Sequence, residues 1–226
     1  MTHPRRLPLL ARSICAALFI CIAASLPSSA AANGLQRGDA NTQEADLVIV
    51  GATPAGIMAA VAAARASNCT AKIVILERTH YIGGLPANGL GATDIATFGA
   101  TGGLFLEFVG RVKKHYVDTY GVGSKQVRDS VEGYHFEPKV AEAVLAGFLD
   151  EVKQSGAVEV KMQRQLDVDQ ANVEISGRAL KKIRVLNRDT GAEEWYAAKV
   201  GILYMGPLRM CVRVLTRSTV LCGRDV

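Results

Sequence analysis

Two kinds of hydrophobic order follow one another along this chain, and the changes between them mark its elements. Asp46-Leu-Val-Ile-Val50 is a nearly unbroken apolar run, as is Lys72-Ile-Val-Ile-Leu76. Short runs of this kind, rich in β-branched residues, predict strands buried on both faces. Between them, Gly51-Ala-Thr-Pro-Ala-Gly56 predicts a tight turn and an alanine-rich helix after it. From Gly83 to Gly103 glycine recurs at 83, 84, 89, 91, 99, 102 and 103 without a regular period, which predicts loop. Leu104, Phe105, Phe108, Val109, Val112 and Tyr116 then fall at helical spacing, with Glu107–Arg111 and Lys114–Asp118 as i,i+4 ion pairs and Gly121 as the stop.

A polar loop from Val122 to Gly133 leads to another helix. Pro138 suits its first position, Val140, Ala141, Val144, Leu145, Phe148 and Val152 form its apolar stripe, and Gly156 ends it. The period then becomes two. Val158-Glu-Val-Lys-Met162 and parts of Asp167 to Ile175 alternate, while Leu180–Leu186 and Glu193–Val200 flank Asn187-Arg-Asp-Thr-Gly191, a good hairpin connection. The sequence predicts an α/β fold with a parallel sheet, flanking helices and an added β-hairpin or meander.

The 226 residues, nearly half of them hydrophobic, suffice for one domain with a real core. The net charge of +5 sits at the ends: Arg5, Arg6 and Arg12 at the start, Arg209, Arg213, Arg217 and Arg224 after Val200. The middle is left at about −1, with no basic stripe and no interleaved aromatics, so no nucleic-acid partner is expected. Residues 1–32 have the layout of a secretory signal peptide. Arginines come first, Ile14 to Leu26 is apolar but short for a bilayer, and Pro27-Ser-Ser-Ala30-Ala-Ala32 offers a cleavage region. The expectation is a secreted chain with no stable membrane span after cleavage; the alternatives are an anchor through residues 14–26 or a periplasmic location. Residues 33–44 read as a polar linker. Cys69, Cys211 and Cys222 have neither disulfide nor metal spacing, and Asn68-Cys69-Thr70 is an N-glycosylation sequon.

Strand, glycine turn, helix, strand and a terminal acid, Glu77, follow the order of a dinucleotide-binding βαβ unit. A pyrophosphate needs backbone N–H donors at close range, and a helix N-terminus supplies them with about half a positive charge. Gly51 permits the sharp exit from the strand, Gly56 permits close helix–sheet packing, Thr53 suits the N-cap and Pro54 the first turn. Thr53 stands where the general G-x-G-x-x-G pattern has its middle glycine, which weakens that pattern taken alone. Glu77 ends the second strand, where a carboxylate accepts from adenosine-ribose hydroxyls and repels a 2′-phosphate, disfavouring NADP.

Leu47-Val-Ile-Val-Gly51-Ala-Thr-Pro-Ala-Gly56-Ile-Met-Ala-Ala-Val with Ile75-Leu-Glu77 resembles FAD-dependent oxidoreductases of the glutathione-reductase-like flavoprotein class. Tyr81-Ile-Gly83-Gly84-Leu-Pro-Ala-Asn-Gly89-Leu-Gly91-Ala-Thr-Asp94 and His135-Phe-Glu137-Pro138-Lys-Val-Ala-Glu142 are similar to two further blocks of one such family, in which threonine also stands for the middle glycine. The resemblance covers residues 46 to about 200 and implies FAD as cofactor and a Rossmann-like FAD-binding domain over residues 45–200. It implies that Gly51, Thr53, Pro54, Ala55 and Gly56 meet the pyrophosphate, Glu77 and Arg78 the adenosine, and that Gly83 and Gly84 let the loop pass close to the cofactor.

The resemblance stops where an apolar strand with an Ala-Thr-Gly-like turn is expected. Gly201-Ile-Leu-Tyr-Met-Gly206-Pro207 opens instead an atypical tail over 201–226, as in a C-terminally truncated or mis-spliced member incomplete at that end. His80, His115 and His135 form no nucleophile or metal constellation, and Asp94 and Asn88, though nearer the expected flavin, receive no role. The catalytic residues and the small-molecule substrate stay unassigned and no metal is expected. Three readings follow: an FAD-dependent oxidoreductase passing hydride from a substrate to flavin, a non-catalytic dinucleotide-binding module, and an NAD-linked dehydrogenase module, against which Gly83-Gly84 argues.

Overall fold

A computed structural model describes residues 42–95, 97, 100–166, 173–176 and 179–204. The expected leader, most of the linker and the end of the tail lie outside the described residues. Seven strands form one sheet: β1 (Thr42–Val50), β2 (Ile73–Leu76), β3 (Val158–Lys161), β4 (Arg164–Leu166), β5 (Val173–Ser176), β6 (Ala179–Asn187) and β7 (Glu193–Tyr204). Their order is β3-β2-β1-β7-β6-β4, with β5 also on β6. β3, β2, β1 and β7 run parallel; β4, β5 and β7 pair with β6 antiparallel. This is the expected α/β class, a parallel sheet of the Rossmann-like type with a meander added to one side.

The alternation of Cβ directions explains why the apolar runs are unbroken. Ile49, Ile73 and Ile75 face one core with the helices, while Val48, Val50, Val74 and Leu76 face a second core with Leu166, Ile183, Val185 and Tyr196 beneath the meander. All four β2 residues are buried. Removing an Ile or Leu side chain from water contributes about 1.5–3 kcal/mol, so these two short strands anchor both layers.

The helices are α1 (Pro54–Ala66), α2 (Gly84–Ala87), α3 (Gly103–Tyr120), α4 (Lys125–Asp129) and α5 (Pro138–Lys153). α1, α3 and α5 pack through Ile57, Val61, Phe108, Val112, Leu145 and Phe148. At the rim of this layer Arg65 bonds Glu107 at 2.7 Å, and Arg111 bridges Glu107 and Glu151 while lying 3.8 Å over the Phe148 ring. The expected pairs Glu107–Arg111 and Lys114–Asp118 are both formed.

Four local expectations are revised. β1 starts at Thr42, not Asp46, because Thr42–Ala45 pair with Trp195–Ala198 of β7; the polar sequence hid this. The glycine-rich loop contains the one-turn helix α2, and the polar loop contains α4, capped by Ser124. β7 runs on through Gly201–Tyr204, opposite Leu47–Val50, into the segment read as tail. The Asn187–Gly191 connection forms as expected, with Asn187 Oδ1 accepting from the Asp189 and Thr190 amides.

Candidate functional site

The carboxyl ends of β1 and β2 and the first turn of α1 converge on the glycine turn. Thr53 is the N-cap of α1; its hydroxyl accepts the Gly56 N–H at 3.3 Å, and Pro54 occupies the first turn. Gly51 takes a φ of 108° to leave β1, and its N–H donates to Leu76 O. Gly56 permits a close approach: a Cβ there would stand 2.0 Å from the Gly51 carbonyl oxygen. The helix provides no acceptor for the Ala55 amide. Ala55 is exposed, and no acidic side chain in the first turn offsets the helix dipole.

The Gly83-Gly84 segment lies against this turn. Gly83, at a φ of 90°, donates its N–H to Ala52 O at 2.8 Å. A Cβ on Gly84 would stand 3.3 Å from Pro54 Cδ. The loop is then tied to the block from His135: Phe136 N–H donates to Gly91 O at 2.9 Å and Thr93 N–H to Tyr134 O at 2.9 Å. Segments far apart in sequence are thus gathered around the start of α1.

Glu77 has a structural task that the sequence does not announce. Its side chain is only 8 % exposed. Oε2 accepts the Ala52 N–H at 2.7 Å, and Oε1 accepts the backbone N–H and hydroxyl of Thr79, each at 2.9 Å. An ionised carboxylate has about four acceptor positions, so one on Oε2 is left for a further donor. Ala52 and Thr79 were both missed by sequence reasoning. A threonine two residues past the acid was the available signal, since such a hydroxyl readily reaches back to a neighbouring group.

Arg78 departs from the cluster. It is exposed, and its backbone carbonyl accepts from Arg188 Nη1 at 2.9 Å. His80, His135, Asp94 and Asn88 are also exposed, and His115 rests edge-on against Tyr116 of its own helix. The structure does not bring these groups together.

Beside the start of α1 opens a cavity of about 270 Å³. Pro54, Ala55 and Met58 form one wall; Pro86 and Thr93 come from the glycine-rich loop, Leu104, Phe105 and Phe108 from α3, and Leu145 from α5. None of these side chains titrates. A helix N-terminus open to an anion, next to an apolar cavity, fits a ligand that joins a diphosphate to a flat ring system with an apolar portion. The residues present therefore fit FAD.

A family model described as FAD dependent oxidoreductase matches residues 46–202. No curated protein matches the sequence. Among solved structures, the chain is similar to Mycobacterium smegmatis Sdh1 in complex with UQ1, at 14 % identity and a TM-score of 0.49, over 73 % of this chain and 34 % of that one. It is similar to the L-amino acid deaminase from Proteus vulgaris at 15 % identity and a TM-score of 0.46, over 74 % and 48 %. For 3-ketosteroid-delta4-(5alpha)-dehydrogenase from Rhodococcus jostii RHA1 the values are 16 % and 0.41, over 71 % and 45 %. The chain spans between about a third and a half of the length of these three structures.

Proposed function

Since the chain belongs to the FAD-dependent oxidoreductase family, with FAD as its cofactor and a redox role, we propose that the glycine turn and its cavity form the cofactor seat of a hydride-transferring enzyme. The observation that carries this reading is the Gly83 N–H to Ala52 O bond, which lays the second glycine segment against the first beside the open end of α1.

In this proposal the Ala55 amide and the dipole of α1 draw the diphosphate, while Thr53 holds the first turn open by capping Gly56. Gly51 and Gly56 keep the turn narrow, and Gly83 and Gly84 carry the loop past it without side chains. Glu77 fixes the turn through Ala52 and offers its remaining Oε2 position to a ribose hydroxyl; Arg78 lies at the rim of that end. The cavity walls from Met58 to Leu145 exclude water from the apolar part of the ligand. Bound FAD supplies the two-electron redox chemistry, and the protein supplies binding, orientation and electrostatics. The substrate would be a small molecule that gives up a hydride.

A second reading, a chain that holds the cofactor without turnover, is favoured by one observation: among the described residues, no titratable side chain lines the cavity. The visible spectrum of the purified chain tests both. Flavin absorbance that survives gel filtration, with bleaching by a reduced donor, supports the enzyme. Absorbance with no bleaching by any donor supports the second reading, and a colourless chain that takes up neither FAD nor ADP overturns both.

A further inference from the structure

The one N-glycosylation sequon in the sequence, Asn68-Cys69-Thr70, has no part in the cofactor seat, and its placement gives it a use. It occupies the turn between α1 and β2. α1 has 13 residues and rises about 1.5 Å per residue, so the sequon lies about 20 Å along the helix from the glycine turn. That is the opposite edge of the βαβ unit, at the amino ends of the parallel strands.

The turn is fixed by its backbone rather than by its asparagine side chain. Ser67 and Cys69 amides donate to Ala63 and Ala64 carbonyls at 3.0 and 2.7 Å, and Thr70 N–H donates to Ser67 O at 3.1 Å. Asn68 and Cys69 take φ of 49° and 58°, which turns the chain sharply outward. Asn68 is exposed and its carboxamide bonds to no described residue; Thr70 is exposed and its hydroxyl donates to Ser67 O at 2.6 Å. Cys69 alone turns inward, against the α1 core. A large polar group on Asn68 Nδ2 would meet solvent, displace no core contact and leave the start of α1 free.

We propose that Asn68 is an N-glycosylation site of the exported chain, a reading that rests on export through the leader expected over residues 1–32. The donor is an oligosaccharide linked through pyrophosphate to a polyisoprenoid lipid. A bond forms between Asn68 Nδ2 and the first sugar carbon, the bond from that carbon to the pyrophosphate oxygen breaks, and the lipid pyrophosphate leaves as the amide loses one proton. The Thr70 hydroxyl completes the acceptor signal.

The test expresses the full chain in a eukaryotic secretory host, once from its own Met1 and once behind an added signal sequence of known function. Peptide N-glycosidase treatment and protease protection of the membrane fraction are the readouts. With the added signal, we expect one glycan, removed by the glycosidase with conversion of Asn68 to Asp in the peptide mass spectrum. The glycan is expected to be absent in Asn68→Gln and Thr70→Ala and kept in Thr70→Ser. Because transfer occurs on the nascent chain, misfolding of a variant does not obscure the result. A protease-protected chain without a glycan in the added-signal arm overturns the site. A glycan in that arm alone upholds the acceptor and overturns export through residues 1–32.

Discussion

Glu77 Oε2 accepts the backbone N–H of Ala52 at 2.7 Å, so the acid that ends β2 ties down the turn that follows β1. The same carboxylate orders Thr79 through Oε1, and Thr79 in turn accepts from the Tyr81 amide at the head of the Gly83-Gly84 loop. One buried side chain thus holds both glycine segments.

Replacing it separates structure from binding. Glu77→Ala leaves the Ala52 and Thr79 amides without their acceptor and is expected to cost about 2–4 kcal/mol in urea unfolding. Glu77→Gln keeps one carbonyl acceptor and is expected to cost less than half of that. If Glu77 also takes a ribose hydroxyl, titration of the Gln variant with ADP shows a loss of about 1–3 kcal/mol. An unchanged unfolding midpoint in the Ala variant would contradict the tie, and unchanged ADP affinity would remove Glu77 from the ligand.

Ala55→Glu sets two effects against each other. A carboxylate in the first turn of α1 favours the helix dipole by about 0.3–1 kcal/mol, so thermal stability rises or stays level. The same charge stands where the diphosphate is proposed to bind, so affinity for FAD and ADP should fall at least tenfold in fluorescence titration. Equal affinity in the variant and the parent would move the diphosphate elsewhere.

Gly56→Ala tests the closeness of α1 to β1. The added methyl would stand 2.0 Å from a backbone oxygen, which no side-chain rotation relieves, and overpacking of this kind costs about 1–3 kcal/mol or more. The expected outcome is a lower unfolding midpoint and lost flavin retention; a midpoint equal to that of the parent would show the turn able to widen.

Acid should weaken the ion pairs at the rim of the helical layer. Arg65, and then Arg111, hold the Glu107 carboxyl down at about 2, against 4.5 for the unperturbed group. A depressed carboxyl stabilises the fold fully above its unfolded value, and that contribution is lost as pH falls through the folded one. The window therefore runs from about pH 4.5 down to about pH 2. Glu107 is 34 % exposed, so solvent limits the effect to about 1 kcal/mol. Unfolding midpoints measured across this window should fall in the parent and fall less in Glu107→Gln; parallel curves would dismiss the ion pair as a source of stability.

How much of this was legible beforehand depended on how far apart the cooperating residues lie. Leu47–Val50, the turn to Gly56 and Ile73–Leu76 could be read directly, because an unbroken apolar run and a glycine turn are local signals. The Thr53 cap was readable for the same reason. The Thr42–Ala45 part of β1 was not, because a polar strand segment is specified by its partner in β7 rather than by its own pattern. The cavity was illegible for a related reason: its walls come from α1, the glycine-rich loop, α3 and α5, and Leu104, Phe108 and Leu145 carry the same helical periodicity as ordinary core positions. Glu77 was found by its place at a strand end, but its bond to Ala52 depends on the turn folding back over β2.

β7 is the last described strand in the sequence, yet it lies beside β1, the first; Gln43 and Tyr196, bonded across the pair, are 153 residues apart. During synthesis one long edge of β1 stays unpaired until nearly the whole described chain has left the ribosome. Closing so large a loop is slow even where its entropic cost is modest. Until then, Val48 and Ile49 present an apolar, hydrogen-bond-hungry margin to any neighbour. A pause in translation before Glu193 would therefore lengthen the time for which that margin is open to aggregation.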